Sequence, residues 1–135
     1  MCLFTHAAAG ALAGALAPSP VAAPFFALAS HVLLDVIPHY DIARMRFELI
    51  LGAVAIAVIA LAGALDLKTA LGISFGLLPD LENLLWKLGV IRDDQKIFPG
   101  HRRFLPHGAV LGASNLFVQA ALSAAAVAFL IRRGA

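Results

Sequence analysis

Leu49-Ile50-Leu51-Gly52-Ala53-Val54-Ala55-Ile56-Ala57-Val58-Ile59-Ala60-Leu61-Ala62-Gly63-Ala64-Leu65 runs without a polar side chain between Glu48 and Asp66. With Phe47 it forms the cleanest of five apolar stretches. An α-helix rises about 1.5 Å per residue, so about 20 residues cross a hydrocarbon core of about 30 Å. The stretch 47–65 meets that length. So does 108–131, which is closed by Arg132-Arg133. Two others are marginal: 21–37, closed by Pro38, and 69–86, which Pro79-Asp80 is expected to interrupt. The Ala/Gly-rich stretch 3–17 would reach only about 22 Å, as a short span or a re-entrant helix. Pro18-Ser19-Pro20 ends it and turns the chain.

The rest of the composition agrees. Of 135 residues, 61% are hydrophobic and 13% charged, against about 25% charged in a soluble domain. Disorder is excluded, because disordered chains are polar. A disulfide scaffold is excluded, because Cys2 is the single cysteine. A net charge of +2 with no long basic run argues against nucleic acid. The expected architecture is an all-α integral membrane bundle of four to five spans, with residues 1–135 forming one domain. The first stretch lacks a basic leader and contains His6, so it reads as part of the fold rather than a signal peptide. Gly10-xxx-Gly14, Gly72-xxx-Gly76 and Gly108-xxx-Gly112 are spacings that let helix backbones approach closely, or simply ordinary glycine usage.

Threading five crossings puts the N-terminus, the 38–46 loop and the 87–106 loop on one side. That side holds Arg44, Arg46, Lys87, Arg92, Lys96, Arg102 and Arg103; the other holds Lys68, Arg132 and Arg133. The imbalance makes the first side the cytoplasmic face. All five histidines and every acid except Asp66 fall toward it.

Four constellations carry the chemistry. Ser30-His31-Val32-Leu33-Leu34-Asp35 sets a His and an Asp four apart on one helix face, and Pro38-His39-Tyr40-Asp41 follows. The pair is either two metal ligands or a His held in one tautomer by a carboxylate. Leu78-Pro79-Asp80-Leu81-Glu82-Asn83 puts two carboxylates beside an expected helix break. Gly100-His101-Arg102-Arg103-Phe104-Leu105-Pro106-His107 brackets an Arg pair with two histidines. Thr5-His6 is the fourth and weakest. Mixed nitrogen and oxygen donors suit Zn²⁺, Mn²⁺ or Fe²⁺, as one or two ions. Glu82 or Asp80 is the candidate general base. Arg102 and Arg103 match phosphate chemistry. His39 and Asp41 are candidates to complete or orient the site.

Together, the early Thr-His, SHxLLDxxPHxD, LLPDxE and GHRxxxxHG resemble the small membrane-bound metal-dependent hydrolases of bacterial and archaeal inner membranes. Their best-known type is a LexA-regulated inner-membrane hydrolase, distantly similar to zinc-dependent phospholipase C. The resemblance spans Thr5 to His107. It implies that His6, His31, Asp35, Asp80, His101 and His107 form a metal site, with zinc foremost, and that Glu82 belongs to it. In that type the SHxxxD motif comes last, whereas here it precedes LPD. The expected function is hydrolysis of a lipid-linked phosphoester at the cytoplasmic face of an inner membrane, by a protein able to self-associate. The alternative is a non-catalytic membrane protein, a metal carrier or a scaffold. A carrier needs ligands at both faces, and the far side offers only Asp66.

Overall fold

The computed structural model describes residues 1–102, 104–105 and 108–134. It is all helical: α1 (Leu3–Leu16), α2 (Ala23–Val36), α3 (Met45–Leu61), α4 (Leu67–Lys87) and α5 (Asn115–Gly134), with a short 3₁₀ turn at Asp93–Gln95. The five apolar stretches therefore all become helices, in order. Among the described residues, only Asn115–Arg133 is a helix long and apolar enough to cross a membrane. The expected four to five spans do not follow from helix length: α1 and α2 have 14 residues each, about 21 Å. α3 has 17. α4 has the length but carries Lys68, Asp80, Glu82 and Lys87.

The central helix is α1, which with α2 is the shortest of the α-helices. α1 packs against α2, α3, α4 and α5, and Thr5, His6, Ala7, Ala8, Gly10, Ala11, Gly14 and Ala15 are all buried. A helix touched on every side has room only for small side chains, which is what its Ala/Gly composition supplies. The contact with α4 is backbone to backbone. A Cβ on Gly10 would lie 2.6 Å from the Gly72 carbonyl oxygen, and one on Gly76 would lie 3.0 Å from Gly10 Cα. The first two GxxxG pairs thus interlock, Gly10 with Gly72 and Gly76, Gly14 with Gly72, on antiparallel helices.

Gly108-xxx-Gly112 has no such role. The expected helix start at 108 is wrong; α5 begins at Asn115. Residues 108–111 instead run beside the end of α2. Gly108 N–H donates to the Asp35 carbonyl (2.7 Å), His39 N–H to Ala109 O (3.1 Å), and Leu111 N–H to His39 O (2.7 Å). These bonds use the backbone groups a helix would need, and Gly108 lies against the Ile37–Pro38 backbone, with its would-be Cβ 2.7 Å from Pro38 N.

The expected break at Pro79 is also absent: α4 runs through it. Proline removes one N–H, so only the Phe75 carbonyl loses its partner within the helix. The α1 contact at Gly72 and Gly76 holds the preceding turn in place.

The helices alternate between two ends. α1, α3 and α5 leave the end where the N-terminus lies, and α2 and α4 return to it. Thr5 Oγ1 donates to Gln119 Oε1 (3.2 Å) near this end, and Arg133 Nη1 donates to Ala15 O at the other. Lys68 Nζ donates to Ala17 O beside it. Two far-side cations therefore satisfy carbonyls that the C-terminus of α1 leaves without helical partners.

Polar side chains share the interior with an apolar core of Ala11, Ala15, Ile59, Ala64, Ile73 and Leu130. Inside are Thr5, His6, His31, Asp35, His39, Thr69, Gln119 and Ser123. The outer faces of α2, α3 and α5 are apolar: Phe25 is 70% exposed, Leu33 67%, Ile50 55%, Leu61 89% and Phe117 78%.

Candidate metal centre

The interlocked glycines place the Gly76 carbonyl against α2. His31 Nδ1 lies 2.7 Å from that oxygen. A carbonyl only accepts, so Nδ1 carries the proton and Nε2 the lone pair. Nε2 faces Asp35 Oδ2 at 3.1 Å, and as an acceptor it finds no hydrogen-bond partner there. In the neutral ring two acceptors meet in a dry interior, and either a proton on Nε2 or a cation between or beside them resolves the clash. An Nδ1–H held by a carbonyl with a bare Nε2 is also the arrangement that orients a metal-ligating histidine.

Asp35 gathers the rest. Its Oδ1 lies 3.0 Å from His6 Nε2 and 3.1 Å from the Met1 amino group. His6 stacks on His31 with ring centroids 3.9 Å apart. If Nε2 of His6 donates to Asp35, its Nδ1 is left buried and unpartnered, as observed.

A second group opens from the same histidine. Donor atoms of His31, Asp80 and His101 lie within 4.8 Å of one another, as do those of His6, His31 and Asp35. Asp80 Oδ2 is buried with no partner. His101 arrives from the loop after α4, where Glu82 fastens it. The Glu82 carboxylate accepts from Ile97 N–H and Phe98 N–H (3.2 Å) and from His101 Nδ1 (3.0 Å). His101 Nε2 then offers its lone pair, now taken by Asn83 Nδ2 at 2.9 Å. Burial holds the His101 pKa below the ordinary imidazole value despite the Glu82 bond, so the ring is neutral and a competent donor. Three orphaned buried atoms and three histidines with defined donors fit a divalent transition metal.

A cavity of 320 Å³ adjoins the cluster, with Asp35, Asp41, Glu48, Asp80, Lys87 and His101 among its lining. Leu77, Asp80, Leu81, Leu84 and Lys87 line it from α4. Their spacing of three and four residues makes one helix face.

The sequence-derived residues divide as follows. His6, His31, Asp35, Asp80 and His101 come together. His39 and Asp41 form an adjoining pair: His39 Nε2 lies 3.2 Å from Asp41 Oδ1 and 2.8 Å from the Met1 amine, with Nδ1 2.7 Å from Ile37 O. They share the Met1 amine with Asp35 but join neither ligand group. Burial would raise the Asp41 pKa, but His39 and the Met1 charge outweigh it and hold it at about 2. Glu82 is near the cluster but its carboxylate is committed to the 97–101 loop, and it does not line the cavity. Arg102 is exposed, its guanidinium 5.3 Å from the Phe104 ring centroid, and it also does not line the cavity. His107 and Arg103 lie outside the described residues.

Three contributors escaped the reading of the sequence. Lys87 is the lining cation from a side chain among the described residues, and its i, i+7 relation to Asp80 was a usable signal. Glu48 accepts from Leu3 N–H (3.1 Å) and Ile42 N–H (3.3 Å), joining α3 to the start of α1. Gln119 accepts from Cys2 N–H (3.0 Å) and donates to Tyr40 O (2.8 Å), tying α5 to both. Nothing local in the sequence marks either as structural.

Fold and site define a five-helix protein whose central helix is sheathed by four others and whose buried His/Asp cluster sits at one end. No protein-family model, curated protein or solved structure matches the chain.

Proposed function

We propose that this chain is a membrane-embedded, metal-dependent phosphoester hydrolase, of the small membrane-bound hydrolase type that its motifs resemble. The observation that carries the reading is the buried meeting of His31 Nε2 with Asp35 Oδ2, beside unpartnered Asp80 Oδ2. The outward apolar faces of α2, α3 and α5 support a lipid environment, since a surface of this kind is not stable in water. In that setting the buried His/Asp cluster marks a functional site. The bundle is read as crossing the bilayer with α5 as its one full-length span, and the shorter helices matched to it by local thinning. The histidine end lies toward the cytoplasm of a prokaryotic inner membrane.

His31, Asp35 and His101 would hold the ion, Zn²⁺ foremost, with His6 and Asp35 orienting each other and Asp80 left unligated beside them. A divalent ion bound there supplies a water of lowered pKa and polarises a phosphoryl oxygen. The chain's own groups do the rest. Asp80 Oδ2 accepts the proton of the attacking water. Lys87, at the mouth of the cavity, offers an ammonium to the phosphoryl oxygens. Glu82 fixes the His101 ring through Nδ1. Of the two candidate bases, Glu82 and Asp80, this keeps Asp80, and it gives the phosphate contact to Lys87 rather than Arg102.

The test is hydrolysis of phosphate-bearing lipids by the protein in bilayers, wild type against Asp80→Asn. Asparagine keeps an oxygen donor but cannot take up the proton. The variant is expected to keep most of its metal and to lose about 10²–10⁴ in kcat. Unchanged turnover in a metal-replete variant removes Asp80 from the reaction.

A further inference from the structure

A second cavity, of 340 Å³, lies beside the first. It is bounded by Leu28 of α2, Leu78 and Leu85 of α4, and Ile91, Ile97 and Phe98 of the loop that follows. Glu82 and Gln95 are the polar members of its lining, and Glu82 turns its carboxylate to the loop backbone. Leu81 lines both cavities. Phe98 lines the apolar cavity and touches the cluster, its ring centroid 5.4 Å from His31 and 5.2 Å from His101, which lines the polar one. The rim is exposed and apolar: Leu78 is 49% exposed, Leu81 47% and Ile97 84%.

A polar cavity with ligand-type groups and a lysine therefore adjoins an apolar one at Leu81 and at the Phe98–His101 contact. We propose that the apolar cavity binds one alkyl chain of a phosphate-bearing amphiphile whose head group sits in the His/Asp cavity. This deepens the hydrolase reading and rests on it for the head group. Its volume is at the low end for ligand pockets, about 300–1,000 Å³, which suits one chain segment rather than two. The exposed rim opens sideways between α2 and α4. A chain still in the bilayer can enter there without passing through water, with its head group passing Leu81 and Phe98 to reach the cluster.

The proposal is tested with a single-chain alkyl phosphate carrying a photoreactive diazirine in mid-chain, added to the full protein in phosphatidylcholine vesicles. Cross-linked peptides are mapped by mass spectrometry. Labelling concentrated at Leu28, Leu85 and residues 91–98, and suppressed in Leu28→Trp and Leu85→Trp, is expected. Labelling spread over the outward faces of α3 and α5, or unchanged in both variants, overturns it. This readout needs no catalysis. Cavity labelling without hydrolysis therefore rejects the hydrolase reading while supporting the chain site; hydrolysis with diffuse labelling does the reverse. A kinetic arm separates lipid from free phosphate esters. In Leu85→Trp the KM for a long-chain phosphate is expected to rise about tenfold or more, with that for a water-soluble phosphomonoester unchanged. An equal rise for both esters also overturns the proposal. A variant that misfolds is recognised by loss of its helical circular dichroism and replaced by Leu28→Phe.

Discussion

His31 shows how one side chain's chemistry is decided by backbone far from it in sequence. The Gly76 carbonyl holds the proton on Nδ1, which turns Nε2 toward the Asp35 carboxylate. Glu82 does the same for His101. Glu82→Gln leaves a donor-acceptor side chain of equal size but removes the charge that strengthens His101 as a donor. Metal affinity is expected to fall about 10–100-fold, read by competition with a chelator, while circular dichroism stays unchanged. Equal affinity in the two proteins would mean that Glu82 only tethers the loop.

The same scale gives a pH prediction. Burial sets the pKa of His101 below the ordinary value of 6.5. The unfolded chain therefore binds the proton more readily than the folded one, and stability rises with pH through this group. The His101 contribution is complete above about 6.5 and is lost as pH falls through 6.5 toward the lower folded value. Thermal melts of metal-free protein between pH 5 and 8 should show a shallower slope for His101→Asn than for wild type. Parallel slopes would place the titration elsewhere.

At the scale of elements, the interface of α1 with α4 is the part of the fold least tolerant of change. A Cβ on Gly10 meets backbone, not a side chain that could turn aside. Gly10→Val should therefore separate the helices and shift Gly76, which orients His31. A loss of about 4 kcal/mol or more is expected, with loss of bound metal, measured by unfolding in detergent and by metal content. A variant that folds and keeps its metal would contradict the interlocked packing.

Much of this level was legible. The runs of apolar residues marked five helices, and the glycine spacing marked a close approach. What stayed hidden was tertiary. Pro79 looks like a break because its missing N–H is a local fact, while the α1 packing that carries α4 through it is not. The apolar run at Gly108 looks helical, yet its backbone is drawn to Asp35 and His39. The shortness of α1 suggested a short span or a re-entrant helix, whereas its small residues are those of a helix packed against four others.

For the whole molecule, the scarcity of charge drew attention to the few polar residues, and the alternating helices carry His6, His31, Asp35, Asp80 and His101 to one end. The counts could not tell which of the polar residues at that end would face inward. His39 turns to Asp41, Glu82 to the loop, and Arg102 outward, because each has a nearer partner than the cluster. Lys87 enters by its helical phase instead. Arg133, counted on the far side, has a structural task at the end of α1.

The central claim is that the cluster around His31 binds a divalent transition metal rather than merely a proton. It is tested by elemental analysis of protein purified without chelators, wild type beside His31→Ala. The account predicts one or two transition-metal ions per chain, zinc foremost, and their loss in the variant. Absence of stoichiometric metal from wild type, after incubation with Zn²⁺, Mn²⁺ and Fe²⁺ in turn, would contradict it.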